Sequence, residues 1–442
     1  MKKILFILII FSFSSSFSQM INKETDWESL AREFIGKYFA LDFDYCYAQF
    51  DSTTQSKFSK DLFKQAYSQT ENMYGKFQKI EETQFQNQGG YHITSTLILH
   101  EKGKYLMLIT YNDDKKIVGF FFKPYQDANS TNYTLPEYAD TTKFYEKDIK
   151  FGKDYPLNGK ISIPKNKQKV PIVILVHGSG PNDMDETIGP NKPFKDIAYG
   201  LSSNGISVLR YNKRTMQYNN EMSQIRDEID LYSETIEDVI NAFNFVKTIP
   251  EVDTNQIYIL GHSLGGYAMP MIASKLPQAK GFIFMAAANQ PLEDKMLEQY
   301  EYISKLKNNQ GIDEATINKI KEQVTKVKNK DFGDTLNSDS FPLSLPPHYW
   351  QYLDKYKPLK LVKNIPQKML FIQGERDYQV TIKELQIWKA TLKENPKATF
   401  ITYPKLNHLF LEGEGLSTPE EYGKESHIPI YVINDIVKWI IN

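Results

Sequence analysis

The sequence is poor in cysteine, in unbalanced charge and in long apolar runs, and each shortage excludes a class of protein. Its single cysteine, Cys46, cannot form an internal disulfide or build a cysteine-rich zinc or iron–sulfur site. Lysine and arginine number 53 against 54 aspartates and glutamates, a balance that argues against a nucleic-acid binder relying on a basic surface. Beyond the N-terminus the apolar runs are short and bounded by turns, so we expect no membrane-spanning helix.

The remaining composition is that of an ordinary folded protein. The chain has 442 residues, of which 41% are hydrophobic and 24% are charged. These are ordinary values for a globular protein, and the length is sufficient for two or three domains.

The first 18 residues resemble a secretion signal. Lys2 and Lys3 give a positive start, Ile4–Phe13 is an apolar stretch too short to span a bilayer, and serines up to Ser18 form a small-residue cleavage zone. We predict cleavage after Ser18 and an exported protein, periplasmic or extracellular. The alternative is a buried N-terminal strand. No cysteine follows the cleavage point directly, so we expect no lipid anchor.

Residues 27–125 are predicted to form a small α+β domain. Apolar residues recur at helical spacing from Trp27 to about Tyr67, and the period then changes to that of strands. Three strands joined by short polar turns predict an antiparallel meander: His92–Leu99, Tyr105–Tyr111 and Ile117–Phe122. A polar stretch with proline at 126–141 is the predicted linker.

Residues 142–442 alternate strands with helices, which predicts a mostly parallel sheet covered on both faces. The strongest strand is Val170–Val176, and the terminal helix is Pro429–Ile441. A charged, helical and proline-containing insertion at about 290–365 interrupts the alternation, and we interpret it as a cap over the carboxyl edge of the sheet.

The most informative motif is Gly261-His262-Ser263-Leu264-Gly265, between an apolar strand and a helix. This Gly-x-Ser-x-Gly pattern is typical of a nucleophile elbow, in which a tight turn exposes the serine hydroxyl beside a helix N-terminus. We predict Ser263 as the nucleophile and the Leu264 amide as one oxyanion donor. The alternative is a glycine-rich turn that carries an inert serine.

A nucleophilic serine needs a base. In proteins with a nucleophile elbow the order along the chain is serine, acid, then histidine base. We predict His408, in a loop after a strand at Thr399, and His427 is the weaker competitor. His92, His100 and His348 are interpreted as structural residues.

The acid is predicted to follow the strand Met369–Gln373. A carboxylate just beyond a strand end can hold the tautomer of the base. Asp377 fits best, while Glu375 competes with it and has an alternative partner in Arg376.

A second oxyanion donor is expected in His177-Gly178-Ser179-Gly180-Pro181, directly after the strongest strand. We predict the Ser179 amide, with the Gly180 amide as the alternative, and we assign His177 to packing.

Three acids follow this loop without a histidine or a calcium-loop pattern: Asp183, Asp185 and Glu186. Such a cluster is typical of a solvated loop, so we expect no metal and no cofactor.

Four segments of the second part resemble the bacterial α/β-hydrolases, in particular secreted carboxylesterases related to the prolyl oligopeptidase and dienelactone hydrolase branches: His177–Asp183, Gly189–Pro193, Arg210–Arg214 and Gly261–Gly266. The likeness covers roughly Thr142–Asn442. It implies an α/β-hydrolase fold, a Ser263–Asp377–His408 triad, and oxyanion donors at Leu264 and Ser179. Residues 27–122 resemble a small cone-shaped α+β domain often found ahead of such hydrolases. Ser179 stands where lipases often have a third glycine.

We therefore expect an exported serine hydrolase that cleaves small-molecule carboxylic esters with small to medium acyl groups. A peptidase, acyltransferase or thioesterase of the same fold is the alternative within this class. The alternative outside it is a non-catalytic envelope-binding protein.

Overall fold

The computed structural model describes residues 26–57, 60–88, 91–101, 103–125, 133–165, 169–306, 312–333 and 338–442. The predicted secretion signal, 1–18, and the first part of the predicted linker, 126–132, lie outside these ranges. The chain divides into two compact units, Met1–Thr131 and Asn132–Asn442. Within the described ranges, no helix has the length and apolar character needed to cross a membrane.

The first unit packs helices against an antiparallel sheet whose strands lie in chain order. Its helices are α1 (Asp26–Phe39), α2 (Phe43–Ala48), α3 (Ser52–Lys57) and α4 (Lys60–Tyr74). Its strands are β1 (Phe77–Gln88), β2 (Tyr91–His100), β3 (Gly103–Tyr111) and β4 (Ile117–Pro124). Buried aromatic rings fill the space between the two layers, so the high aromatic content of the sequence serves packing here.

Strand β1 is the element of this unit that the periodicity did not predict. The strand is rich in glutamine and glutamate, and its register against β2 shifts twice, between Phe77 and Lys79 and between Ile80 and Thr83. Each irregularity breaks the alternation of inward and outward side chains on which strand prediction depends.

The second unit is built on an eight-stranded sheet of order β12-β11-β10-β9-β7-β8-β6-β5. Strand β6 is antiparallel to β5 and β8, and every other pair is parallel. The strands are β5 (Phe144–Phe151), β6 (Leu157–Pro164), β7 (Val170–Val176), β8 (Ser207–Tyr211), β9 (Val252–His262), β10 (Gly281–Met285), β11 (Lys368–Gly374) and β12 (Ala398–Tyr403). The prediction of a mostly parallel sheet is confirmed, with an antiparallel edge added.

Helices cover both faces of this sheet, so its parallel strands are buried and read as continuous apolar runs. One face carries α5 (Pro193–Ser203) and α15 (Ile430–Ile441). The other carries α8 (Glu237–Val246), α9 (Leu264–Lys275) and α14 (Ile382–Thr391). Two short helices follow β8: α6 (Arg214–Gln217) and α7 (Asn219–Gln224).

The insertion between β10 and β11 is helical, as predicted. It contains α10 (Leu292–Ser304), α11 (Glu314–Lys328), α12 (Pro347–Lys355) and α13 (Pro358–Leu361). Three of its aromatic side chains are buried in the same core as the sheet: Phe341, Tyr349 and Trp350. They therefore hold the cap on the sheet rather than lining an open pocket.

A buried ion pair also fixes the start of the cap. Lys295 Nζ lies 2.7 Å from Glu384 Oε1 on α14. The same carboxylate accepts hydrogen bonds from the backbone amides of Asn289 (2.7 Å) and Gln290 (3.1 Å). Every oxygen of this buried carboxylate is thus partnered, which offsets the cost of removing it from water.

The described part of the predicted linker, 133–141, belongs to the second unit and is bonded to its other elements. Tyr133 donates to the buried carboxylate of Asp196, and Tyr138 donates to the carbonyl of Ile428 at 2.8 Å. This segment therefore has fixed partners, which its polar composition did not predict.

Candidate active site

Ser263 stands at the sharp junction between β9 and α9. Its backbone has φ 52° and ψ −113°, a conformation that costs a non-glycine residue about 1–3 kcal/mol. The Ser263 amide donates to the carbonyl of Met285, the last residue of β10, at 2.9 Å, and its carbonyl accepts from Tyr267 at 2.8 Å. The serine is the one residue of Gly261–Met269 that keeps partial exposure. The turn therefore presents this side chain outward, as the elbow motif predicts.

The tightness of the turn explains its second glycine. A Cβ at Gly265 would lie 2.4 Å from the carbonyl oxygen of Val176 on the neighbouring strand β7. No larger residue fits there without moving the backbone. The amide of Leu264, at the first position of α9, has no acceptor within the helix and lies at its positive end.

Asp377 and His408 form the next contact of the site. Asp377 follows β11, His408 follows β12, and Asp377 Oδ2 lies 2.7 Å from His408 Nδ1. A carboxylate accepts hydrogen bonds, so Nδ1 carries the proton and the lone pair of His408 is on Nε2. Both side chains are buried.

The remaining lone pairs of Asp377 are occupied. Its Oδ1 accepts the amides of Gln379 at 2.8 Å and Val380 at 2.9 Å, and its Oδ2 also accepts Gln373 Nε2 at 3.0 Å. These bonds hold the carboxylate facing His408. The competitor Glu375 is exposed.

His262 connects the base loop to the elbow. Its Nε2 lies 2.9 Å from the carbonyl oxygen of His408, and the two imidazole rings are 4.8 Å apart between centroids. Because His262 immediately precedes Ser263, this bond brings the loop of the predicted base next to the predicted nucleophile.

The competitor His427 and the cap residue His348 have other partners. His427 pairs with Asp196 at 3.0 Å, which raises the pKa of its imidazole against the effect of partial burial. His348 is half exposed and lies 3.4 Å from Asp230. Neither pairs with Asp377.

The loop after β7 passes directly beside the nucleophile. A Cβ at Gly178 would lie 3.2 Å from Ser263 Cβ. The next amide, that of Ser179, has no hydrogen-bond acceptor among the described residues. Both features suit a backbone donor to a substrate oxygen bound above Ser263.

The prediction of a solvated acidic loop was wrong for Glu186. This side chain is 2% exposed, because its carboxylate accepts the Gly178 amide at 2.7 Å and lies 2.9 Å from His262 Nδ1. Asp183 caps its own turn through the amides of Asp185 and Thr187. No group of three or more histidine, cysteine, aspartate or glutamate side chains within the described ranges is arranged to hold a metal.

Burial and pairing determine the pKa shifts of Glu186, His262 and His177. Burial alone raises the pKa of Glu186, but the charge of His262 and the Gly178 amide outweigh it and lower that pKa. Burial alone lowers the pKa of His262, and the facing Glu186 carboxylate reverses this and raises it. For His177 the effect of burial is larger than the opposing effects of the Glu186 charge and the Asp183 carbonyl, and its pKa falls to about 4, so its ring is neutral at pH 7. The direction of both shifts favours the charged forms of this buried pair, the Glu186 carboxylate and the His262 imidazolium.

The strand order, the single reversed strand and a strained serine at the carboxyl edge define a hydrolase of the α/β-hydrolase fold. The family described as Serine aminopeptidase, S33 matches residues 168–414, more than half of the chain, and the chain belongs to this family. A second family, described as Protein of unknown function (DUF3887), matches residues 31–120 in the first unit.

The chain is also similar to individual proteins. It is 40% identical over 354 residues to Esterase EstD of Thermotoga maritima, covering 80% of this chain and 81% of that protein. The structure is similar to Est1E from Butyrivibrio proteoclasticus, with a TM-score of 0.43 and 16% identity, covering 66% of this chain and 97% of that one. It is likewise similar to the Pyrococcus furiosus esterase Pf2001, with a TM-score of 0.41 and 16% identity, covering 67% and 92%.

Proposed function

We propose that the protein is a serine hydrolase that cleaves carboxylic esters of small to medium acyl groups through an acyl-enzyme. The observation that carries the proposal is the 40% identity with an esterase over 80% of the chain. It is supported by the position of Ser263 at a strained elbow beside the bonded pair Asp377–His408.

The proposed roles follow from the atoms available. Ser263 Oγ attacks the acyl carbon while its proton passes to His408 Nε2, and the carbonyl electron pair becomes an oxyanion. The amides of Leu264 and Ser179 donate to that oxyanion. Collapse expels the alcohol, which takes the proton from His408, and leaves the acyl group on Ser263. Water then repeats the sequence and releases the acid.

Asp377 is proposed to orient His408 and to stabilise its protonated form. Its carboxylate is fixed by three other hydrogen bonds, so it remains in place while the imidazole gains and loses the proton. This role requires no proton transfer to Asp377.

The family name points to peptides and the relative's name points to esters, and the architecture favours esters. A peptidase needs subsites that hold an extended backbone, and it must protonate an amine leaving group. Related peptidases often carry a preceding β-propeller built of repeated blades, whereas the described residues of the first unit form one four-stranded sheet packed on helices.

Kinetics on purified protein test this proposal. We expect aryl acetate to octanoate esters to turn over readily, with kcat/KM at least about 10³-fold above that for peptide amides, since amide cleavage demands more of the same triad. Aminoacyl anilides and unactivated peptides serve as the comparison series. Equal efficiency on a peptide and on the esters would replace the esterase by an aminopeptidase.

We further propose that the protein is exported and that residues 1–18 are removed. The motivating pattern is the positive start, short apolar stretch and serine-rich zone of the N-terminus. N-terminal sequencing of protein from the periplasm or medium of an expressing bacterium should begin at Gln19. Full-length protein that begins at Met1 and stays inside the cell would contradict export.

A further inference from the structure

A buried lysine lies behind the loop that carries the proposed oxyanion donor. Lys213 is 2% exposed, and its ammonium donates to the carbonyl oxygen of Gly178 at 3.0 Å. The backbone of Lys213 is fixed as well, because its amide donates to the carbonyl of Asn182 at 2.9 Å. The lysine therefore contacts the oxyanion loop through both its side chain and its main chain.

The position of this ammonium has a direct geometric consequence. The carbonyl of Gly178 and the amide of Ser179 belong to one planar trans peptide, so they point in opposite directions. A bond that fixes the carbonyl therefore fixes the direction of the Ser179 N–H. The positive charge of the ammonium beside the carbonyl oxygen also polarises the peptide and makes the Ser179 N–H a stronger donor.

The backbone amide of Gly178 is fixed by a negative charge, opposite in sign to that of Lys213. The amide of Gly178 donates to the buried carboxylate of Glu186 at 2.7 Å, and Asn182 Nδ2 adds a weaker bond to the Gly178 carbonyl at 3.3 Å. Gly178 is thus held by a carboxylate at its N–H and by an ammonium at its C=O, directly beside Ser263.

A carboxylate from the segment before α8 lies beside the Lys213 ammonium. Glu234 Oε1 lies 3.7 Å from Lys213 Nζ and accepts a hydrogen bond from Tyr349 of the cap at 2.9 Å. Glu234 lies in the π-helical turn Tyr232–Ile236, an irregularity of the kind often found at functional sites. The buried lysine is therefore partnered on both sides, which its desolvation requires.

We propose that Lys213 is a positioning residue that sets and strengthens the Ser179 amide as an oxyanion donor. The inference rests on the proposed function. Its effect is confined to the tetrahedral state, because only there does the substrate oxygen carry the full charge that a polarised N–H stabilises. Lys213 itself touches neither substrate nor Ser263 in this role.

The test compares turnover with the binding of an alkyl trifluoromethyl ketone. Ser263 Oγ adds to the ketone carbon, the proton passes to His408, and the carbonyl electron pair becomes an oxyanion that mimics the reaction's. The matching alcohol, which has no carbonyl, reports binding without the oxyanion. For Lys213→Met we expect a fall of about 10- to 100-fold in kcat and in ketone affinity, since loss of a whole donor costs 10²–10³. KM and alcohol affinity should change less than about threefold, because they involve no oxyanion.

Two double variants keep the test valid if the lysine change impairs folding. Lys213→Met with Glu234→Gln leaves no unpaired buried carboxylate and should show the same selective loss. Lys295→Met with Glu384→Gln removes an equally buried pair at the cap and should keep the wild-type ratio of ketone to alcohol affinity. A folded Lys213 variant that binds the ketone within threefold of wild type would overturn the inference. A wild-type protein without esterase turnover would instead overturn the proposed function.

Discussion

Replacing Ser263 with alanine is expected to lower kcat on an aryl ester by about 10⁵- to 10⁶-fold, the loss that follows removal of a catalytic serine in a triad. Alanine removes only the hydroxyl and tolerates the strained backbone no worse than serine does. The midpoint of thermal unfolding should therefore shift by no more than about 2 °C, as expected for a change of a few tenths of a kcal/mol. Steady-state kinetics and a thermal melt on the same preparation measure both quantities.

Ser274→Ala provides the matched control. Ser274 is exposed on the same helix, α9, and its hydroxyl bonds only to its own helix, at Met271. This variant should keep full activity. A Ser263→Ala protein that retains more than about 1% of the rate would remove Ser263 from the role of nucleophile, since residual catalysis without a triad serine is far lower.

Asp377→Asn carries the second largest expected effect, a loss of about 10⁴-fold in kcat. The asparagine amide cannot accept a hydrogen bond at the nitrogen that faces His408. The imidazole then favours the tautomer with its proton on Nε2, which cannot accept the proton of Ser263. KM should change little, because the carboxylate is buried behind His408.

The neighbouring carboxylate supplies the control for this variant. Glu375 is exposed two residues earlier in the chain, and Glu375→Gln should cost no more than about threefold, as surface changes rarely do. The reverse ranking of the two variants would assign the orienting role to Glu375.

The elbow was predictable because local sterics determine it. A strand, a serine between two glycines and a helix specify one backbone geometry within a few residues, and Gly265 has no room for a Cβ. Asp377 and His408 were predictable for a similar reason, since each directly follows a strand whose carboxyl end reaches the same edge. Their catalytic roles remain predictions.

Glu186 and Lys213 were not predictable as buried groups. Each is a charged residue in a polar segment, and such residues are almost never buried unless they are paired. Their partners lie far away in sequence: His262 for Glu186, Gly178 for Lys213. Residues so far apart in sequence meet only because the folded sheet brings the ends of neighbouring strands together. The one local signal was position, because both residues follow strands that flank the elbow strand or its neighbour.

The role of the aromatic residues of the cap was also not predictable from the sequence. Composition alone does not distinguish an aromatic pocket lining from core packing, and the structure buries Phe341 and Trp350 completely. Sequence indicates that an aromatic side chain leaves water; it does not indicate whether a ligand or the protein's own core provides the cover.

Covalent trapping of Ser263 tests whether this residue forms the acyl-enzyme. A fluorophosphonate ester phosphonylates the oxygen of an activated serine with loss of fluoride, and mass spectrometry of the digested protein locates the adduct. We expect one stoichiometric adduct on Ser263, prevented by prior incubation with an alkyl trifluoromethyl ketone and absent from Ser263→Ala. An adduct on another serine, or no adduct on protein that hydrolyses esters, would contradict it.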